Sequence, residues 1–265
     1  MESGAQFSKE QSTSTPTQEM HMRGIPYAEA IGSVLWPVII SRPDAAFAVG
    51  ILSQFIQNPG PAHWEGVKRL ITYLGSTQDL WLTFGGKGKN ILEGFCNTNW
   101  ARQKHRHSIL GYSFHMSQGT VTWSSKKQYI IALSSTEAEY IMQMHMAKEA
   151  LYLRNFMGEI KEKFSKPLTI NCNNQGAIVL SKDNKFHAHT KHIDIQYHSI
   201  HDAVEDEKIL VNYVPTDNNP ADIFTKPLAK AKFRCFIEML GLHLLNQQVV
   251  TMTCDNITAC AVSQQ

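Results

Sequence analysis

The sequence predicts an α/β protein in which a mixed five-stranded sheet is flanked by helices and preceded by a small helical module. Three consecutive segments of strand character are followed by alternating helical and strand segments. Strands that follow one another directly pair antiparallel, whereas strands joined through helices pair in parallel, so the sheet is predicted to be mixed. Upstream of the strands, three segments carry apolar residues at helical spacing and are separated by turns rich in proline and glycine.

The composition limits the classes of function. A chain of 265 residues with 43% hydrophobic residues can bury the core of one domain with a smaller partner, or of two small domains. A net charge of +2 is compatible with nucleic-acid binding but does not argue for it. The five cysteines show no paired close spacing, which argues against a disulfide framework or a cysteine-based zinc site and fits a reducing compartment. The N-terminal residues show no secretory signal, and the longest apolar run, around 34–40, is too short to span a bilayer. We expect an intracellular protein that is neither secreted nor inserted in a membrane.

The first ninety residues divide into three predicted parts. Residues 1–24 are rich in Ser, Thr and Gln and are predicted to be a disordered leader. Residues 25–84 form the helical module, with a turn at Arg42–Asp44 and a third helix from His63 to about Leu74. The glycine-rich residues 85–90 are predicted to be a linker.

Residues 91–245 hold the predicted sheet, and residues 246–265 are a polar tail. The predicted strands are Ile91–Cys96, Leu110–Met116, Thr120–Ser125, Leu168–Asn173 and Ile209–Val214. Ser134, with Glu137 three residues later, is predicted to cap a long helix. Later helices are predicted up to Leu180, from about His192 to Val204, and from Ala221 onward. Functional groups of such sheets gather at the carboxyl ends of strands, which directs attention to Asn97 and Asn173, with Glu139 in the long helix.

The chain carries two ordered sets of specific motifs. The later set comprises Thr122–Gln128, Leu133–Tyr140, Thr190–Ile195, Tyr213–Thr216 and Ala221–Leu228, and the earlier set comprises Pro26–Ser33, Ser41–Asp44 and Asn58–Trp64. The later set resembles the ribonuclease H of the Ty1/copia-type retrotransposon Pol polyproteins, and the earlier set resembles the end of their reverse transcriptase. The resemblance covers roughly residues 26–245 and implies a ribonuclease H-like fold over 91–245, preceded by a remnant of the thumb or connection of the reverse transcriptase. The chain contains no Tyr-x-Asp-Asp motif, so no polymerase activity is expected.

The resemblance also implies a two-metal site for cleaving the RNA strand of an RNA–DNA hybrid. Its four carboxylate positions correspond here to Asn97, Glu139, Asn173 and Asp222, of which two are amides. Only Glu139 and Asp222 therefore remain as charged metal ligands. Two divalent cations about 4 Å apart repel each other by roughly 17 kcal/mol at an effective dielectric constant near 20. Two carboxylates offset this repulsion poorly, so we expect Mg²⁺ binding to be weakened or lost and catalysis to be very low or absent.

The partners implied by the resemblance are an RNA–DNA hybrid or another nucleic acid, and other products of the polyprotein. Phosphate contacts are expected from Lys126, Lys127, Lys191 and His192. A zinc site is the alternative for the cluster formed by His187, His189, His192, His198 and His201, although neither a Cys nor a carboxylate completes a recognisable signature. The expected location is a cytoplasmic particle or the nucleus.

Three functions remain open at this point. The first is a ribonuclease H-like domain with impaired catalysis. The second is a hybrid nuclease that still works with Glu139, Asp222 and amide ligands. The third is a nucleic-acid-binding or scaffold protein that keeps the fold without being an enzyme. Hybrid cleavage in the presence of Mg²⁺ separates the second function from the other two.

Overall fold

The protein is described by a computed structural model over residues 7–85, 91–100, 107–129, 131–160, 166–182 and 194–244. The helices are α1 (Pro16–Arg23), α2 (Tyr27–Ile40), α3 (Ala46–Leu52), α4 (Pro61–Ser76), α5 (Ser135–Glu159), α6 (Gln175–Lys182), α7 (Asp194–Glu205) and α8 (Lys230–Met239). The strands are β1 (Leu80–Leu82), β2 (Glu93–Asn99), β3 (Ile109–Met116), β4 (Gly119–Lys127), β5 (Leu168–Cys172), β6 (Ile209–Tyr213) and β7 (Leu242–Leu244). Short 3₁₀ helices include Pro43–Ala45 and Pro220–Phe224.

The central sheet has five strands in the order β4-β3-β2-β5-β6. The β2–β3 and β3–β4 pairs are antiparallel, whereas β2–β5 and β5–β6 are parallel. The mixed, ribonuclease H-like arrangement predicted from the sequence is therefore confirmed. β3 and β4 are joined by Ser117 and Gln118, both in the left-handed backbone region that two-residue hairpins require.

One face of the sheet packs against α5. Cys96, Phe114 and Ile170 on the strands and Tyr140 and Met146 on the helix are all fully buried in one core cluster. The cap predicted for this helix is present, because the Ser134 hydroxyl accepts a hydrogen bond from the Glu137 N–H at 3.1 Å. α5 therefore begins at a fixed point beside the carboxyl end of β2, and this places Glu139 near that end.

The opposite face carries residues 219–226, which we call the closing segment, together with α8 and the helical module. Ser125 donates to the Phe224 carbonyl at 2.6 Å, and the Trp123 indole donates to the Val38 carbonyl at 3.2 Å. β4 therefore contacts both the closing segment and the helical module.

The helical module contains a buried ion pair at the predicted turn. Arg42 forms two hydrogen bonds with Asp44, at 2.9 Å to Oδ1 and 2.7 Å to Oδ2. Arg42 also donates to the Thr77 carbonyl at 3.1 Å, and the Tyr73 hydroxyl donates to Asp44. The turn that separates α2 from α3 is thus bonded directly to the end of α4.

The structure differs from the sequence prediction before residue 24. The prediction of a disordered leader is wrong over residues 7–24, where α1 forms and Met22 is buried. Phe7 packs against the helical module, and the ring of buried His63 donates to the Ser8 carbonyl at 3.1 Å. These few anchors are enough to order a segment whose average composition is polar.

Two further differences lie near the C-terminal end. A single helix from Ala221 is predicted, but a 3₁₀ helix over Pro220–Phe224 is followed by α8 only from Lys230. Pro227 lies between the two and lacks the N–H that a continuous helix would use. The short antiparallel pair of β1 and β7 is also absent from the prediction. Most of the predicted linker, residues 86–90, and the tail 246–265 lie outside the described residues.

Candidate active site

The predicted site residues lie at one edge of the sheet. Phe95 of β2 pairs with Asn171 of β5 in parallel register, and Asn97 and Asn173 each follow two residues later. The carboxyl ends of both strands therefore meet at this edge. The structure brings Asn97 into contact with Asp222 of the closing segment, and Glu139 bonds to the residue after Asn97. Asn173 is half-buried at the same edge, where its amide donates to the Thr216 hydroxyl at 3.2 Å.

Asp222 is fully buried, and both of its carboxylate oxygens face nitrogen donors. The Asn97 amide Nδ2 donates to Oδ1 at 2.6 Å. The ammonium groups of Lys226 and Lys232 lie 2.9 Å and 3.4 Å from Oδ2. The negative charge of Asp222 is thus neutralised by side chains of the chain itself.

Three asparagine amides join β2 to the closing segment, and we call them the amide seam: Asn97, Asn99 and Asn219. Besides Asp222, the Asn97 Nδ2 contacts the Thr225 hydroxyl oxygen at 2.7 Å. The Asn99 Nδ2 donates to the Thr225 carbonyl at 3.1 Å. From the other side, the Asn219 Nδ2 donates to the Cys96 carbonyl at 2.8 Å. Each amide acts as a hydrogen-bond donor across the same boundary.

Glu139 lies in a different environment from Asp222. Its side chain is buried, and Oε1 accepts a hydrogen bond from the Thr98 N–H at 3.0 Å. Oε2 is buried and has no hydrogen-bond partner among the residues that the structure describes. Burial raises the pKa of Glu139 from 4.5 to about 8; the Thr98 N–H opposes this rise, and the charge of Asp222 adds to it. Glu139 is therefore mostly protonated at pH 7.

These donors do not fit a pair of divalent cations. Mg²⁺ requires hard oxygen ligands in near-octahedral geometry. Here both oxygens of Asp222 face nitrogen donors, and Asn97 presents an N–H to Asp222. Within the described ranges, no group of three or more His, Cys, Asp or Glu side chains could hold a metal ion. Of the two carboxylates that remain at this edge, Asp222 is thus already in contact with side chains of the protein itself.

The predicted nucleic-acid contacts are only partly visible. Lys126 is exposed and Lys127 half-buried at the end of β4, whereas Lys191 and His192 lie outside the described residues. Sequence analysis missed two exposed residues of α5 near Lys126, namely His145 and Lys148. Burial lowers the pKa of His145, and the charges of Lys148 and Lys126 lower it further, so the two lysines and not the imidazole carry the positive charge of this surface.

Lys226 and Asn99 were also missed as site residues. Lys226 lies four residues after Asp222, a spacing that can bring two side chains together along one turn and could have drawn attention to it. Nothing in the sequence indicated that the Asn99 amide donates to the closing segment. Of the histidine cluster, His201 is buried, while His187 and His189 lie outside the described part of the chain.

The chain is similar to transposon polyproteins over most of its length. It is 40% identical over 238 residues to the retrovirus-related Pol polyprotein from transposon TNT 1-94 of Nicotiana tabacum, which covers 89% of this chain and 18% of that protein. The chain belongs to the Ty1/copia-type Pol polyproteins. It spans less than a fifth of the length of this Pol relative.

Two other comparisons concern parts of this Pol chain. A protein named secreted RxLR effector protein 161, from Plasmopara viticola, is 43% identical over 133 residues, half of this chain and 94% of that protein. The solved structure of LC11-RNase H1, isolated from compost by a metagenomic approach, shares 14% identity with a TM-score of 0.39 and covers 52% of this chain and 94% of its own. No protein-family model matches the sequence. None of the described helices is both long and apolar enough to cross a membrane.

Proposed function

We propose that this chain is a ribonuclease H-like module that binds RNA–DNA hybrids through their backbones and hydrolyses them very slowly or not at all. The observation that carries the proposal is the state of Asp222, whose two oxygens face Asn97 on one side and Lys226 on the other. A hybrid nuclease of this family needs that carboxylate for a metal ion. Here the carboxylate is held by internal donors instead.

The remaining side chains offer little catalysis without a metal ion. A general base must be deprotonated and must reach the attacking water. Glu139 is mostly protonated at pH 7 and buried beneath the edge of the sheet, so it is a poor base. Asp222 is fully buried and paired with Lys226. We therefore expect no efficient activation of water by this chain.

Binding is supported by the cations around the same edge. Lys126 on β4 and Lys148 on α5 are exposed and close enough to His145 to lower its pKa, and Lys230 is exposed at the start of α8. Phosphate contacts position a nucleic acid without reading its sequence, and a hybrid is recognised mainly by its shape and its 2′-hydroxyl groups. The proposed ligand is therefore the backbone of a hybrid of any sequence. The proposed setting is inside the cell, in a cytoplasmic particle or the nucleus, together with other products of the polyprotein.

Fluorescence anisotropy of a labelled hybrid, titrated with the chain in EDTA, tests the binding. We expect metal-independent binding that weakens steeply between about 50 and 200 mM salt, because bound cations of the nucleic acid are released. Lys126→Glu should weaken binding and flatten the dependence on salt. Lys208→Glu is the matched control, because Lys208 is also exposed but precedes β6, at the opposite end of the parallel strands. Absence of binding, or equal effects of the two variants, would contradict the proposal.

A further inference from the structure

Asn97 occupies a buried position where a carboxylate would lie directly against the carboxylate of Asp222, while the Thr225 hydroxyl already donates to the Asp222 carbonyl at 3.1 Å. Asn97 is buried, with 3% of its surface exposed, and its Nδ2 lies 2.6 Å from Asp222 Oδ1 and 2.7 Å from the Thr225 hydroxyl oxygen. An aspartate in the same rotamer would direct an oxygen at the buried carboxylate of Asp222. Two buried carboxylates at hydrogen-bond distance cannot both remain ionised without a cation between them.

Asn99 strengthens the same boundary. Its Nδ2 donates to the Thr225 carbonyl, an oxygen that can only accept hydrogen bonds. An aspartate at 99 could not replace this donor when ionised. Asn97 and Asn99 therefore both supply N–H groups to residues Asp222 and Thr225 of the closing segment, and the family resemblance implies a carboxylate at position 97.

We infer that the Asn97 and Asn99 amides, together with the Lys226 ammonium, replace divalent cations as the link between β2 and the closing segment, so that this fold closes without metal. The closing segment is attached to β2 by direct donor–acceptor contacts instead of through a shared ion. Two consequences follow: the stability of the natural chain is independent of Mg²⁺, and restoration of a carboxylate at 97 makes the stability depend on Mg²⁺. This inference concerns the free protein and does not depend on hybrid binding.

Thermal unfolding in EDTA and in Mg²⁺ tests the inference on the natural chain and on Asn97→Asp. The natural chain should unfold at the same temperature in both solutions. Asn97→Asp should lower the unfolding temperature in EDTA by roughly 5–10 °C and should regain much of this loss in Mg²⁺. An Asn97→Asp variant that is as stable as the natural chain in EDTA, or that Mg²⁺ does not stabilise, would overturn the inference.

Asn173→Asp is the matched control, because it makes the same substitution at the same edge of the sheet. Asn173 is half-buried, and its amide donates to the Thr216 hydroxyl, which can donate to a carboxylate as readily as it accepts from an amide. Its variant should therefore change the unfolding temperature in EDTA by no more than about 2 °C. A loss as large as that of Asn97→Asp would show that the amide seam has no special role.

The double variant Asn97→Asp/Asp222→Asn shows whether the stability loss of Asn97→Asp comes from the lost hydrogen bond or from altered packing. It exchanges the carboxylate and the amide between the two positions, and a hydrogen bond can form again in the opposite direction. We expect it to regain at least half of the unfolding temperature lost by Asn97→Asp in EDTA. No recovery would show that the loss comes from packing at residue 97 and would also overturn the inference.

Discussion

Two buried aspartates, Asp44 in the helical module and Asp222 beneath the sheet edge, are neutralised in different ways. Asp44 accepts two hydrogen bonds from Arg42 and one from Tyr73. Asp222 accepts one hydrogen bond from the neutral amide of Asn97 and contacts the ammonium of Lys226. The side chain of Arg42 is 7% exposed, whereas that of Lys226 is 25% exposed. The first pair is enclosed by the protein, and the second lies at an open edge.

This difference separates an enclosed ion pair from the proposed site at the edge of the sheet. A guanidinium fork bonds to both oxygens of a carboxylate at once, and in this pair the Tyr73 hydroxyl donates to one of them as well. An amide and a flexible lysine also cover both oxygens, but either one could be displaced with modest rearrangement. We therefore expect substitutions in the helical module to act on folding, and substitutions at the sheet edge to act on folding and on metal affinity together.

The largest effect is expected from Arg42→Met. Removal of the guanidinium leaves Asp44 as a buried carboxylate whose only remaining donor among its described hydrogen bonds is the Tyr73 hydroxyl. The loss in the free energy of unfolding should be about 3–5 kcal/mol. Urea unfolding at pH 7 measures it. A loss below about 1 kcal/mol would show that the pair is not enclosed as the structure indicates.

The second effect concerns the pH dependence set by Glu139. Its pKa is about 8 in the folded chain against an ordinary value of 4.5, so the folded state binds more protons between these pH values. Stability should therefore fall as the pH rises from 5 to 8, by at most about 1.4 kcal/mol per pH unit. Glu139→Gln is uncharged at every pH, so it should flatten this slope and be more stable than the natural chain at pH 8. Urea unfolding at several pH values measures this dependence. The same decrease in the free energy of unfolding with pH for both proteins would contradict this expectation.

Lys226→Met should have a smaller effect than either. Asp222 would keep the Asn97 hydrogen bond, and Lys232 lies 3.4 Å from the oxygen that Lys226 contacts. The expected loss in the free energy of unfolding is about 1–2 kcal/mol. Urea unfolding of Lys226→Met beside Arg42→Met compares the open and the enclosed pair directly. Equal losses would remove the distinction drawn between them.

The smallest effect is expected at His63 in the helical module. The His63 Nδ1 accepts from the Gly60 N–H at 2.9 Å, while Nε2 donates to the Ser8 carbonyl, so only the neutral ring satisfies both contacts. Burial lowers its pKa, and the bond to Ser8 opposes this decrease. The stabilisation is present above the ordinary value of 6.5 and is lost as the pH falls below it. Hydrogen exchange of residues 8–23 should be faster at pH 5.5 than at pH 7.5, after correction for intrinsic rates. Unchanged protection would exclude His63 as the anchor of this segment.

The sheet could be predicted from the sequence because each strand alternates or clusters its apolar residues between clear turns. β5 and β6 each end within one residue of the prediction, and Ser134 caps α5 as expected. The ordered N-terminal segment could not be predicted, since Phe7 and Met22 are isolated apolar residues in a polar stretch. Their burial depends on a partner surface formed by distant residues.

The positions of the site residues could be predicted from the sequence, but their hydrogen-bond partners could not. The resemblance indicated Asn97, Glu139, Asn173 and Asp222, and three of these lie in one connected group of contacts. That Asn97 donates to Asp222, and that Lys226 contacts the other oxygen, depends on how the closing segment packs on β2. The 3₁₀ helix ends at Phe224, and no pattern in the sequence indicates where the turn after it places Lys226.

Cleavage of a labelled RNA–DNA hybrid by the natural chain and by Asn97→Asp/Asn173→Asp, side by side in Mg²⁺, tests most directly whether internal donors have replaced the metal ions. The natural chain should release no product above the protein-free control. The double variant, with its four carboxylates restored, should cleave the RNA strand in Mg²⁺ and not in EDTA. Mg²⁺-dependent cleavage by the natural chain at a rate equal to that of the double variant would contradict the account.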